Sequence, residues 1–366
     1  MIRVIGVFAA AAVVGVGSLQ GRGAPSPPKP THLVVHEWGT ITTRHTANGR
    51  AEGRLNRLDY FESLADFVHR YEPPVTSRDP LQSLLKAPVG AGRAEVTMRL
   101  ETPVIYFHPA PGSPPPAPFD VTVNFRGGVL NEFYPEATPS VNGWNGEHLS
   151  DAMTSTLAWK SITLTGGVTL PLTKSHVWLA PRDVKSTPVT VNGGEVEQYL
   201  FYRGVANLPA LLGTELTREG MLLRSPARPP WLTTASTTLG AVWVADIRRN
   251  GIAAFRTTEP LTIARGDSSR VLARVAPFST RDYSAAELQN LRESMHAALV
   301  ARGLYPDEAT AMLETWKNSY FGVPGLRVFY IVPNEWTSYY LPLTISTPHT
   351  LSRVIVGRID MDTNTP

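Results

Sequence analysis

The chain has no cysteine. That excludes disulfides, thiolate metal sites, cysteine nucleophiles, iron–sulfur clusters and a lipidated amino-terminal cysteine. Charge is scarce as well. Asp, Glu, Lys and Arg make up 18% of residues, against about 25% in an average soluble domain. The formal net charge is +3. Arg3 and Arg22 supply two of those charges, and +3 − 2 leaves +1 for the rest. No Lys/Arg-rich cluster interrupts the chain, so nucleic acid is not an expected partner, because phosphate backbones are held by clustered cations. Several motifs are missing too. There is no phosphate-cradling Walker loop, no G-x-G-x-x-G and no G-x-S-x-G elbow, so nucleotide binding and serine-hydrolase chemistry have no support. No Asn-x-Ser/Thr sequon occurs, which agrees with a bacterial source.

What is present begins at the amino terminus. Arg3 precedes Val4–Gly17, an unbroken run of 14 apolar or small residues, and small and polar residues follow. This is the pattern of a secretory signal peptide over residues 1–23, cut near Gly23 or after Ser18. The run falls short of the roughly 20 apolar residues that span a bilayer. The expected location is therefore periplasmic or secreted, with no membrane span after cleavage. Residues 24–31 form a Pro-rich spacer, and folded structure is expected from His32.

Strand signals dominate the mature chain. Phe119–Arg126 alternates apolar and polar without a fault, which sets four apolar side chains on one sheet face. Gly127-Gly128 follows and predicts a tight hairpin into the next strand, through Tyr134. Asn250-Gly251 predicts a second hairpin between Trp243–Arg248 and Ile252–Thr257. Further strands are expected at 32–38, 96–101, 104–107, 157–164, 198–203, 326–332, 341–346 and 351–360. Pro109–Pro118 is expected to be an exposed loop.

Helices are few. Tyr60, Leu64, Phe67, Val68 and Tyr71 predict one over Asp59–Tyr71, with Asp59 and Glu62 as a capping box. Ser284 and Glu287 read as a second capping box, Leu288, Leu291, Met295 and Leu299 recur at helical spacing, and Gly303 ends the helix. Pro306 opens another helix, with Asp307 and Glu308 in its first turn. The fold class is α+β, β-rich, with mostly antiparallel, sandwich-like sheets and a C-terminal αα-hairpin. Residues 32–280 make the β-rich region, and 281–366 add the helical hairpin and terminal strands to the same body.

The most distinctive local pattern is His36-Glu37-Trp38-Gly39-Thr40. It begins like a zincin helix, but H-E-x-x-H needs His at position 40, and the segment reads as strand. No metal ligand is assigned and no cofactor is expected; a site assembled from distant histidines stays open. Glu37 and His36, with Glu197, are the candidate acid/base residues. The bland alternative makes Glu37 a strand-end hydrogen-bond acceptor and Trp38 a cover for the core. Gly39 is read as a point of bending or close backbone approach. Trp38, Arg203, Trp144 and Arg182 are the ligand-binding candidates: Arg203 as a carboxylate clamp, Trp144 as a stacking platform for a sugar. Their structural alternatives are core packing for the tryptophans and ion pairs for the arginines, with Arg182 pairing Asp183 in a loop.

Val34–Thr42 (VVHEWGTIT) resembles the start of a family of exported bacterial proteins with no assigned activity, marked by an HEWGT motif near the amino terminus. Glu101–Phe107, Gly128–Pro135, Tyr199–Gly204, Ala311–Tyr320 and Val354–Ile359 agree in order. Asn131 and Phe133 depart from the family's Thr and Trp. The resemblance implies a shared fold and an exported location, and it transfers no catalytic residue. The leading functional expectation is a non-catalytic envelope or extracellular protein that binds a protein or glycan partner. The alternative is a secreted hydrolase, metal- or carboxylate-dependent.

Overall fold

Leu33–Thr46 forms a single strand of 14 residues at the centre of a nine-stranded sheet. The computed structural model describes residues 33–55, 64–71, 95–113, 115–143 and 148–363, which belong to one compact unit, 32–366. The sheet runs in the order Ile252–Thr257, Val242–Arg248, Gly325–Ile331, Thr350–Asp362, Leu33–Thr46, Met98–Pro109, Leu200–Ala206, Gly128–Tyr134, His69–Arg70. Every pairing is antiparallel except the central one. There the first and last strands lie parallel, Val34 opposite Thr350 through Thr46 opposite Asp362.

Strand alternation divides the first strand between two cores. Leu33, Val35 and Ile41 face a six-stranded sheet, packing with Phe119, Val121, Val123 and Phe125. The perfect alternation of Phe119–Arg126 thus buries all four of its apolar side chains, as expected. Trp38 faces the other way, toward a helical layer. That layer holds α1 (His176–Arg182), α2 (Ala285–Ala301) and α3 (Pro306–Thr315). Leu291, Met295 and Leu299 of α2 and Met312 and Leu313 of α3 supply its core. The predicted αα-hairpin is therefore present. Ser284 Oγ accepts the Glu287 amide at 3.0 Å, and Gly303 follows α2 at φ +109°. A short helix, α4 (Asn334–Tyr340), precedes the last strand. The protein is β-rich and mostly antiparallel, with 44% strand against 17% helix, which matches the expected fold class. No helix among the described residues is long and apolar enough to cross a membrane.

Some local expectations are corrected. The two strands around Gly127-Gly128 do not form a hairpin, because Phe119–Arg126 belongs to the six-stranded sheet and Gly128–Tyr134 to the main one. The glycines turn a corner between layers. Gly127 takes φ +75°, and a Cβ on Gly128 would lie 2.3 Å from the Phe125 ring. Asn250 and Gly251 do take φ +71° and +72°, in the predicted hairpin. The strands expected at 96–101 and 104–107 are one continuous strand, Met98–Pro109, with a register shift opposite Gly39. Within the helix predicted over Asp59–Tyr71, residues 56–63 lie outside the described residues. The remainder is a turn and the strand His69–Arg70, whose pairing with Phe133 and Glu132 overrides helical periodicity. Residues 1–32 also lie outside the described residues, and with them the leader, the spacer and His32.

Candidate functional site

His36 and His108 occupy adjacent strands of the main sheet. Tyr106 is the direct cross-strand partner of His36, and His108, two residues on, presents its ring to the same helix-facing side. The ring centroids are 5.3 Å apart. The start of α3 lies over them. Pro306 fixes its first turn, and the Tyr305 amide donates to Glu308 Oε2 at 2.7 Å, so the helix cap itself aims the Glu308 carboxylate. His36 Nδ1 lies 2.7 Å from Glu308 Oε2, and His108 Nε2 lies 2.9 Å from Glu308 Oε1. The side chains of His36, His108 and Glu308 are 4%, 10% and 0% exposed, so water competes little for these contacts.

Burial alone would raise the Glu308 pKa, but hydrogen bonds from His108 and His36 and the Tyr305 amide outweigh it and hold the carboxyl below its usual range. Glu308 is therefore an anion at neutral pH, and both facing imidazole nitrogens donate N–H to it. Two imidazoles and one carboxylate are also a donor set for zinc and similar divalent ions. Their ligand atoms all fall within 4.8 Å of one another. Two donors at about 2.1 Å from a tetrahedral ion stand roughly 3.4 Å apart. The His36 and His108 contacts, at 2.7 and 2.9 Å, would widen by about 0.5–0.7 Å to reach that spacing, and an ion would displace the two N–H protons. The residues present therefore fit a divalent metal.

Tyr305 forms the outer wall. Its ring centroid is 4.6 Å from that of His36 and 4.9 Å from that of His108, and the residue is 41% exposed.

Glu37 does not join this site. Adjacent strand residues point to opposite faces, so Glu37 projects into the inter-sheet core, where it is fully buried. Its Oε1 accepts the Tyr202 hydroxyl at 2.6 Å, and its Oε2 accepts Arg353 Nε. Arg353 also donates to the Leu341 carbonyl at 2.7 Å. Burial first, and then the Glu37 charge, push the Tyr202 phenol well above its ordinary pKa. A joint His36–Glu37 acid/base pocket is thus corrected by the alternation of the strand. The acceptor role of Glu37 holds, with side chains as donors.

The other candidates separate as well. Glu197 is buried and anchors the end of α1: Arg182 donates from Nε at 2.9 Å and from Nη2 at 2.6 Å, and Trp178 Nε1 at 2.7 Å. Arg182 therefore closes a helix and pairs with Glu197, not with Asp183 in a loop. Arg203 is 7% exposed. It donates to Thr102 Oγ1 at 2.9 and 3.1 Å, and Glu132 Oε2 lies 3.9 Å away, so its carboxylate partner is internal. Trp38 is fully buried, a core residue and no ligand contact. Trp144 lies outside the described residues. Gly39 behaves as read: a Cβ there would lie 2.9 Å from the Pro103 Cα.

His108 and Glu308 escaped the sequence reading. Glu308 looked like an ordinary first-turn acid, and His108 fell between the strand expected at 104–107 and the loop expected at Pro109–Pro118. The available signal was the shared face of His36 and a histidine on a pairing strand. A cleft of about 800 Å³ opens near the other end of the first strand, lined by Arg44, Asp246, Arg248, Arg327, Asp360 and Asp362 among others. Its charges pair internally, Arg327 with Asp360 at 3.0 Å and Arg248 with Asp246 at 2.7 Å.

No family model and no curated protein matches the chain. Among solved structures, the Fcho1 Mu homology domain of Danio rerio with a bound Eps15 peptide is similar at 10% identity. The match covers 90% of this chain and 95% of that one, with a TM-score of 0.31. A likeness of that order carries no functional argument.

Proposed function

We propose that this protein is exported to the periplasm or beyond the cell, and there binds one divalent metal ion of the zinc class through His36, His108 and Glu308. The leader pattern of residues 1–23 and the HEWGT resemblance support export. The observation that carries the metal reading is the convergence, within 4.8 Å, of three ligand atoms from two strands and one helix. Metal chemistry would suit this donor set: a carboxylate held ionised, two imidazoles and little competing water. The role favoured is binding without catalysis. The His36, His108 and Glu308 side chains are no more than 10% exposed, and the cleft beside Arg44 and Asp360 is lined by other residues.

The test is calorimetric titration of the mature protein with zinc chloride. The expected result is saturation near one ion per chain, lost in H36N, H108N and E308Q variants whose circular dichroism is unchanged. No saturable binding by the folded wild type would refute the reading.

A further inference from the structure

We infer that Tyr305 gates the metal site, so that the ion exchanges with solution and is carried, not locked in as a permanent part of the fold. The inference rests on the metal-binding reading above and adds the route and rate of entry. Three observations support it. First, Tyr305 is the exposed member of the group: its side is 41% open, whereas His36, His108 and Glu308 are no more than 10% exposed at their side chains. Second, its ring packs against both imidazoles, tilted by 55° to His36 and edge-on to His108, at 4.6 and 4.9 Å between centroids, and so lies on the outer side of the pair. Third, Tyr305 holds Glu308 through its backbone, not its side chain: the amide donates to Oε2 at 2.7 Å. The ring can therefore rotate outward while the carboxylate stays aimed. Pro306 adds to this, because its fixed φ keeps the first turn of α3 in place as the ring moves.

The experiment loads wild type, Y305F, Y305A and Y305S with zinc, then mixes each with an excess of a chromogenic chelator and follows release. Y305A and Y305S are expected to release zinc about tenfold faster or more, the change given by lowering the release barrier about 1.4 kcal/mol. Y305F keeps the ring and is expected to match wild type. Two small variants are used so that a misfolded one does not decide the matter. Equal release rates for wild type, Y305A and Y305S would overturn the gate, while zinc release from wild type would leave the metal site standing. A much weaker zinc affinity in Y305F would make the phenol oxygen a ligand and also overturn it. Wild type with no zinc to release would remove the metal reading and this inference together.

Discussion

His36 Nδ1 lies 2.7 Å from Glu308 Oε2, across 272 residues of sequence. The contact joins the first strand to the first turn of α3, and each side is set locally. Strand alternation turns His36 toward the helical layer, and the capping pattern around Tyr305 aims the carboxylate down at it. One residue along, the same alternation sends Glu37 to Arg353 and Tyr202 on the opposite face. The HEWGT segment thus serves two separate networks.

Replacing Glu37 by Gln should lower stability by about 3–5 kcal/mol, the usual cost of stranding the partner of a buried ion pair, here Arg353. Urea unfolding measures it. Zinc affinity should not change, because Glu37 lies on the far side of the sheet. A loss of zinc binding with unaltered stability would place Glu37 in the site instead.

Gly39→Ala should cost about 1–3 kcal/mol, because the new methyl meets the Pro103 backbone and one strand must shift. Thermal unfolding of the variant checks this. A midpoint equal to that of wild type would mean that the two strands are free to part.

Stability should fall on the acid side because of His45. This residue is 2% exposed, its Nδ1 lies 2.7 Å from Thr214 Oγ1, and burial lowers its pKa from 6.5 to about 4. Between those values the unfolded chain binds a proton that the folded one refuses. The penalty is absent above pH 6.5, grows as pH falls, and levels off below about pH 4. At about 1.4 kcal/mol per pKa unit, the drop from pH 7 to pH 4.5 reaches roughly 2–3 kcal/mol. H45N should lose that much less than wild type in paired urea titrations. Parallel losses in the two proteins would show that His45 accepts its proton freely when folded.

The αα-hairpin, the Asn250-Gly251 turn and the alternation of Phe119–Arg126 were legible in the sequence because each is fixed by residues within a few positions. What spans the chain was not. The parallel pairing of Leu33–Thr46 with Thr350–Asp362 joins the two ends of the fold, and no local signal encodes it. Gly127-Gly128 carries the signature of a hairpin, but the choice between a hairpin and a corner depends on which sheet each flanking strand joins. The site divides in the same way. His36 stood out through its motif, whereas His108 and Glu308 acquire meaning only once a strand partner and a helix end are brought over it. Arg182 and Glu197 were both noticed, yet their pairing needed α1, a short helix ending at Arg182 that carries Pro181 and no acidic residue in its first turn.

Metal analysis of the mature protein, purified without chelators or an affinity tag that binds metal, tests the account most directly. It should find about one zinc-class ion per chain in wild type and a small fraction of that in E308Q prepared in parallel. Wild type that carries no stoichiometric metal, and takes up none from a zinc-containing buffer, would reduce His36, His108 and Glu308 to a hydrogen-bonded clip between sheet and helix.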